Sequence, residues 1–201
     1  MGVQSDVQVG FIADENAADP DRLVTAARPD TSATMAETTF LGGGARNVTV
    51  TTGGTGDDAK TCTITGTDVF SNAITEVITS TGSAEAVAGA KLFLTVSAVE
   101  CSAQYAANIT VGSGSLCASA VSGGNRTRMK GYSIVSAGTA GLVDFYNGTP
   151  EDGTIIFKAQ TIGTDNTTID NTIPDEGILF GSGLTVGYTV ATVVLANIFF
   201  A

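Results

Sequence analysis

The chain has 201 residues, 43% of them hydrophobic and only 14% charged, with a formal net charge of −11. That charge content lies well below the roughly 25% of ordinary soluble domains. The basic residues are scattered, so a phosphate-binding face for nucleic acid is not expected. Histidine and tryptophan are both absent, which removes Ser-His-Asp and Cys-His nucleophilic centres and His-ligated zinc.

The first 45 residues are irregular, apart from a short strand predicted over Val7 to Ile12. Asp19-Pro20-Asp21 suits the start of one helical turn through Ala27, which Pro29 would limit. Gly42-Gly43-Gly44 marks a joint. This stretch reads as an arm that needs support from this chain or a neighbour. No secretion signal is visible at the N-terminus, so synthesis and folding in a cytoplasm are expected.

Residues 46–112 show the period-two alternation of half-buried strands. Val48 and Val50 alternate with threonines, a turn follows over Gly53 to Asp58, and Cys62 and Ile64 resume the pattern. Further strands are predicted over Ile74 to Thr79, Leu92 to Cys101 and Ile109 to Val111. Residues 113–127 lack periodicity and read as a linker. Residues 128–201 carry seven more predicted strands: 131–136, 142–147, 154–160, 167–173, 177–180, 184–190 and 192–199. Asn147-Gly148 and Asp152-Gly153 are turn dipeptides. The last strand is apolar on both faces, as expected of a central strand or one covered by another subunit. From Gly177 to Ala201 there is no charge, but Thr and Gly interrupt the run and no Lys or Arg flanks it. It therefore reads as strands and not as a membrane span.

The fold class expected is all-β: two small β-sandwich domains, immunoglobulin-like or jelly-roll-like, with an extended N-terminal arm. The boundaries are 1–45 for the arm, 46–112 for the first domain, 113–127 for the linker and 128–201 for the second domain.

The chemical candidates reduce to bland readings. Gly42-Gly43-Gly44 and Gly53-Gly54 match no phosphate loop and serve turns. Asp57-Asp58, and Asp165, Asp170, Asp175 and Glu176, fit no EF-hand spacing and read as solvated turns. Glu76 and Glu100 are a conceivable glycosidase-like couple, but aromatic platforms for a sugar are scarce. Arg126, Arg128 and Lys130 fall at alternate positions and are too few for a nucleic-acid footprint. Cys62, Cys101 and Cys117 have no CxxC spacing. Cys62 and Cys101 fall in predicted strands and read as small buried apolar residues; a bridge between them requires neighbouring strands. The glycosylation-type triplets at Asn47, Asn108, Asn125, Asn147 and Asn166 are coincidences of a Thr-rich chain. No catalytic, cofactor-binding or metal residue is assigned, no cofactor is expected, and the chain is read as non-enzymatic.

Two segments carry a resemblance. Arg46-Asn47-Val48-Thr49-Val50, Thr63-Ile64-Thr65-Gly66-Thr67-Asp68, Thr75-Glu76, Phe93-Leu94-Thr95-Val96 and Ile109-Thr110-Val111-Gly112 resemble the first part of tailed-bacteriophage virion proteins. Gly138 to Val143, Phe145-Tyr146-Asn147-Gly148-Thr149 and Ile173 to Phe180 resemble a second module of phage structural proteins. The likeness covers about two thirds of the chain and rests on strand and turn residues. It implies a capsid decoration (cement) protein on the capsid exterior of a virion. The partners it implies are the major capsid protein and further copies of this chain in a homotrimer, with no nucleic acid and no membrane. A tail, fibre or head–tail adaptor component is the alternative, and a carbohydrate-binding β protein a further one.

Overall fold

The computed structural model describes residues 7–12, 17–82 and 84–201. Over these residues the chain is all-β, with antiparallel strands and one short 3-10 turn at Thr55–Asp57. It divides into two compact units, Asn16–Cys117 and Met1–Glu15 with Ala118–Ala201, called here the central and terminal units.

The central unit holds β2 (Val24–Ala27), β3 (Ala45–Thr52), β4 (Asp58–Thr67), β5 (Ala73–Thr81), β6 (Ala86–Phe93) and β7 (Thr95–Cys101). Strand β8 (Ile109–Ala120) begins here and ends in the terminal unit. One sheet has the order β5-β4-β7; the other runs β6-β3-β8, with β2 added on β8. Val48 and Val50 from β3, Ile64 from β4, Phe93 from β6 and Val99 from β7 meet in one buried cluster. That cluster is the shared core of a sandwich.

Four sequence expectations change in this unit. The predicted helical turn after Asp19 is a turn followed by β2. The Leu23 amide donates to Val111 O (2.9 Å) and Val24 pairs with Val111, so pairing with β8 overrides the local preference. The expected arm is largely part of the core, because Leu23, Val24, Ala33 and Phe40 are all buried in the cluster. The single strand predicted over Leu92 to Cys101 is two strands. The chain leaves β3 at Phe93 and joins β4 from Thr95, changing sheets at Leu94. The expected linker at 113–127 is β8 through Ala120, a turn, and then the next strand from Thr127. Gly112 and Gly114 are there for close approach. A Cβ on Gly112 would sit 2.0 Å from Asp19 O, and one on Gly114 would sit 2.4 Å from Asn47 Oδ1.

The terminal unit contains β1 (Gln8–Ile12), β9 (Thr127–Ser136), β10 (Leu142–Asn147), β11 (Thr154–Gln160), β12 (Thr167–Thr172), β13 (Ile178–Phe180), β14 (Leu184–Thr189) and β15 (Val193–Phe200). One sheet has the order β1-β15-β9-β12, with β13 also on β9. The second contains β11-β10-β14, and the Val121 amide donates to Leu184 O (2.8 Å) at its side. Between the sheets, Tyr132, Phe145 and Phe157 form a tilted triangle with ring centroids 5.5–5.8 Å apart. Strands β10 and β11 occupy the residues predicted for them, joined across Asn147-Gly148 and Asp152-Gly153. The uncharged C-terminal run forms β13, β14 and β15, and β15 is an internal strand between β1 and β9. Among the described residues, no helix is long and apolar enough to cross a membrane.

Candidate functional site

Among the described residues, the buried charged side chains, Arg46, Asp57 and Asp68, all lie in the central unit. Asp57 is fully buried, whereas Asp58 is exposed, so only the second of the two fits the solvated turn expected for both. The Asp57 carboxylate accepts from Lys60 Nζ (2.8 Å), the Ala106 amide (2.5 Å) and the Ala107 amide (3.2 Å), and its carbonyl accepts from Ser80 Oγ. Burial works to raise the Asp57 pKa. The bond from Lys60 and the two amides overrule it and hold the carboxyl below its ordinary 3.8. A carboxylate held in this way ties the 3-10 turn, β4 and the 106–107 loop together.

Arg46 is also buried, at the start of β3. Its Nε donates to Cys117 Sγ (3.2 Å), and Nη1 donates to Ala17 O and Ser113 Oγ (both 3.3 Å). Its neighbour Asn47 is 3% exposed, too buried to accept a glycan in the folded chain. Asn47 accepts from the Leu116 amide (3.0 Å) on β8 and donates to Gly89 O (3.2 Å) on β6. It therefore pins both neighbours of β3 where the β3–β6 register shifts.

The two glutamates considered as a catalytic couple are not brought together. Glu76 opposes Ile64 across β4, while Glu100 opposes Thr63. Successive residues of β4 face opposite sides, so the two carboxylates leave opposite faces of the sheet. Glu76 instead accepts the Ala90 amide (2.7 Å) and the Lys91 amide (3.3 Å), clipping β5 to β6. A Cβ on Gly89 would come within 2.3 Å of Glu76 Oε2, so glycine is needed there for the clip to close. Asp68 caps the β4–β5 turn, accepting from the Phe70 and Asn72 amides (both 2.8 Å).

Cys62 and Cys101 lie opposite each other on β4 and β7. Their sulfurs are 3.8 Å apart, and Tyr105 Oη lies 3.2 Å from Cys62 Sγ. The hydrogen bond from Cys101 pulls the Cys62 thiol down. The same bond, and then burial, push Cys101 up.

The remaining acidic candidates are surface groups. Asp165, Asp170, Asp175 and Glu176 are exposed, and Gly177 closes its turn on Pro174 O (3.2 Å). Arg128 pairs with Glu176 (3.1 Å), and Lys130 donates to Asp175 O (3.2 Å), so two of the three alternating cations brace that turn. Among the described residues, no three His, Cys, Asp or Glu side chains are grouped as metal ligands would be.

The terminal unit has a different kind of feature. Strand β1 lies at the edge of its sheet and pairs with β15. Gly10 and Ile12 face inward: a Cβ on Gly10 would meet Val121 Cγ1 at 2.7 Å, and Ile12 is 3% exposed. Val9 and Phe11, on the other face, are 56% and 66% exposed, and Val7 at 44% extends the row. Half-buried Phe199 lies beside Val9 on β15. Apolar side chains in a row along a sheet edge suit a protein contact, and the edge itself offers backbone for pairing. The alternation of Val7, Val9 and Phe11 was visible in the sequence, but their outward direction depends on pairing with β15.

Comparison with protein-family models, curated proteins and solved structures finds no match for this chain.

Proposed function

We propose that this chain is a virion structural protein of the capsid decoration type. In this reading it binds the outer face of a major capsid protein lattice, associates with itself as a homotrimer and stabilises the head. The observation that carries the reading is the edge strand β1, with Val7, Val9 and Phe11 exposed in a row on an all-β unit. The low charge, the absence of histidine and the use of carboxylates as internal clips support it. A specific contact needs about 800 Å² from each partner, and a lattice of many equal sites lets modest individual affinities add.

The test is a comparison of intact virions with virions stripped of this protein. Loss of resistance to heat or low ionic strength on stripping is the expected result. Equal robustness of the stripped shells contradicts the cement role. Quantitative mass spectrometry of the particle separates the neighbouring reading: a lattice-wide copy number fits decoration, and the copy number of a single ring or fibre set fits a tail, fibre or adaptor part.

A further inference from the structure

We propose that Cys62 and Cys101 form a dithiol oxidation site, at which a peroxide-class oxidant closes a disulfide between β4 and β7. The inference stands on the geometry of the central unit and is independent of the virion reading.

Register is the first argument. Cys62 and Cys101 are direct cross-strand partners. The next pair along, Thr61 and Ser102, is joined by a bond from the Ser102 amide to Thr61 O (3.0 Å). The Cys101 amide points away from β4 and donates to Thr31 O (2.6 Å). Cys62 and Cys101 therefore occupy a non-hydrogen-bonded position of the ladder. Opposed Cα atoms at such positions lie about 4.5 Å apart, within the 4.4–6.8 Å range that disulfides span. The sulfurs already touch at 3.8 Å, so side-chain rotation is sufficient and no strand has to move.

Access and chemistry give the second argument. Cys62 is fully buried and Cys101, the last residue of β7, is 9% exposed. The exposed residues Ser102 to Gln104 follow it directly. An oxidant as small as hydrogen peroxide suits so narrow an approach. The bond from Cys101 favours the thiolate of Cys62, and the thiolate is the nucleophile. The Cys62 thiolate attacks one peroxide oxygen, breaks the O–O bond and becomes a sulfenic acid, and the departing hydroxide leaves as water with the thiol proton. The Cys101 sulfur then attacks Cys62 Sγ, and the S–OH bond breaks with release of a second water. Two thiols and one peroxide become one disulfide and two waters. The two sulfurs are each oxidised by one electron and the peroxide is reduced by two.

The bridge would close a loop across residues 39 apart in sequence, joining β4 to β7 covalently at the end of the sheet where the ladder finishes. The full chain is treated with hydrogen peroxide while folded, remaining thiols are alkylated, and the digest is mapped by mass spectrometry. The expected result is a linked Cys62–Cys101 peptide pair with Cys117 alkylated. The heat-unfolding midpoint should rise by roughly 5–10 °C and fall back on addition of a dithiol reductant. The Cys117→Ala variant should give the same link, and Cys101→Ala should leave Cys62 without one. If Cys101→Ala fails to fold, the map of the unmodified chain decides alone. Linkage through Cys117, over-oxidation of Cys62 without a link, or unreacted Cys62 and Cys101 under conditions that cross-link the urea-unfolded chain would each overturn the proposal.

Discussion

The central and terminal units use similar strands and turns but close their surfaces in different ways. The central unit is tied from within by polar clips: Asp57 to the 106–107 loop, Asn47 to β6 and β8, and Glu76 to β6. The terminal unit rests on the aromatic triangle of Tyr132, Phe145 and Phe157. It also carries most of the large apolar side chains exposed among the described residues. Val7, Val9, Phe11, Leu142, Ile156, Ile162 and Leu179 belong to it, against Leu41, Val77 and Leu116 in the central unit. Satisfied buried polar groups specify one arrangement of strands and leave little surface to offer. Apolar side chains turned outward cost solubility, so the unit that carries them is the one suited to a partner.

Substitutions at four positions probe the contrast. The largest effect is expected for Phe145→Ala, which removes the fully buried corner of the aromatic triangle. It should cost about 3–5 kcal/mol in a urea-unfolding experiment, and a cost below about 1 kcal/mol would mean that the triangle does not hold the terminal unit. Asp57→Ala should cost the central unit about 2–3 kcal/mol, because it takes the acceptor from the Ala106 and Ala107 amides and from Lys60. The same carboxyl gives a pH signature. Its folded pKa lies below the ordinary 3.8, so the unfolded chain takes up the proton first as pH falls. The stability it contributes is complete above the ordinary value and drains away as pH drops through the lower folded one. Unfolding curves from about pH 5 to pH 2 should therefore fall more steeply for the native chain than for Asp57→Asn; parallel curves would contradict the assignment.

Gly114→Ala comes next, at about 1–3 kcal/mol, because the new methyl meets an Asn47 side chain pinned on both sides. An unchanged urea midpoint would show that Asn47 yields more readily than its two bonds suggest. The smallest effect on folding is expected for Phe11→Lys, within about 0.5 kcal/mol, since the side chain is 66% exposed. Its effect on self-association should be large, and that divergence sharpens the contrast between the units.

How much of this was legible in the sequence varied with the kind of signal. Strands β10 and β11 could be placed to the residue because alternation and two turn dipeptides agree there. Strand β6 was missed in most of its length, since Ala86, Ala88, Gly89 and Ala90 carry no apolar period. Gly112 and Gly114 read as the start of a linker, and their role in close packing depends on Asp19 and Asn47, which are remote in sequence. Asp57 looked like a turn residue because nothing local announces the amides of Ala106 and Ala107. Cys62 and Cys101 fell in predicted strands, but their opposition depends on register, a tertiary property. The terminal unit joins the chain's first residues to those from Ala118 onward, so no single linear span could describe it.

Sedimentation velocity on the full chain, beside its Phe11→Lys variant, tests the central claim most directly. The account expects the unmodified chain to run as a trimer and the variant as a folded monomer. A monomeric native chain, or a variant that assembles unchanged, would contradict the assignment of β1 as the assembly surface.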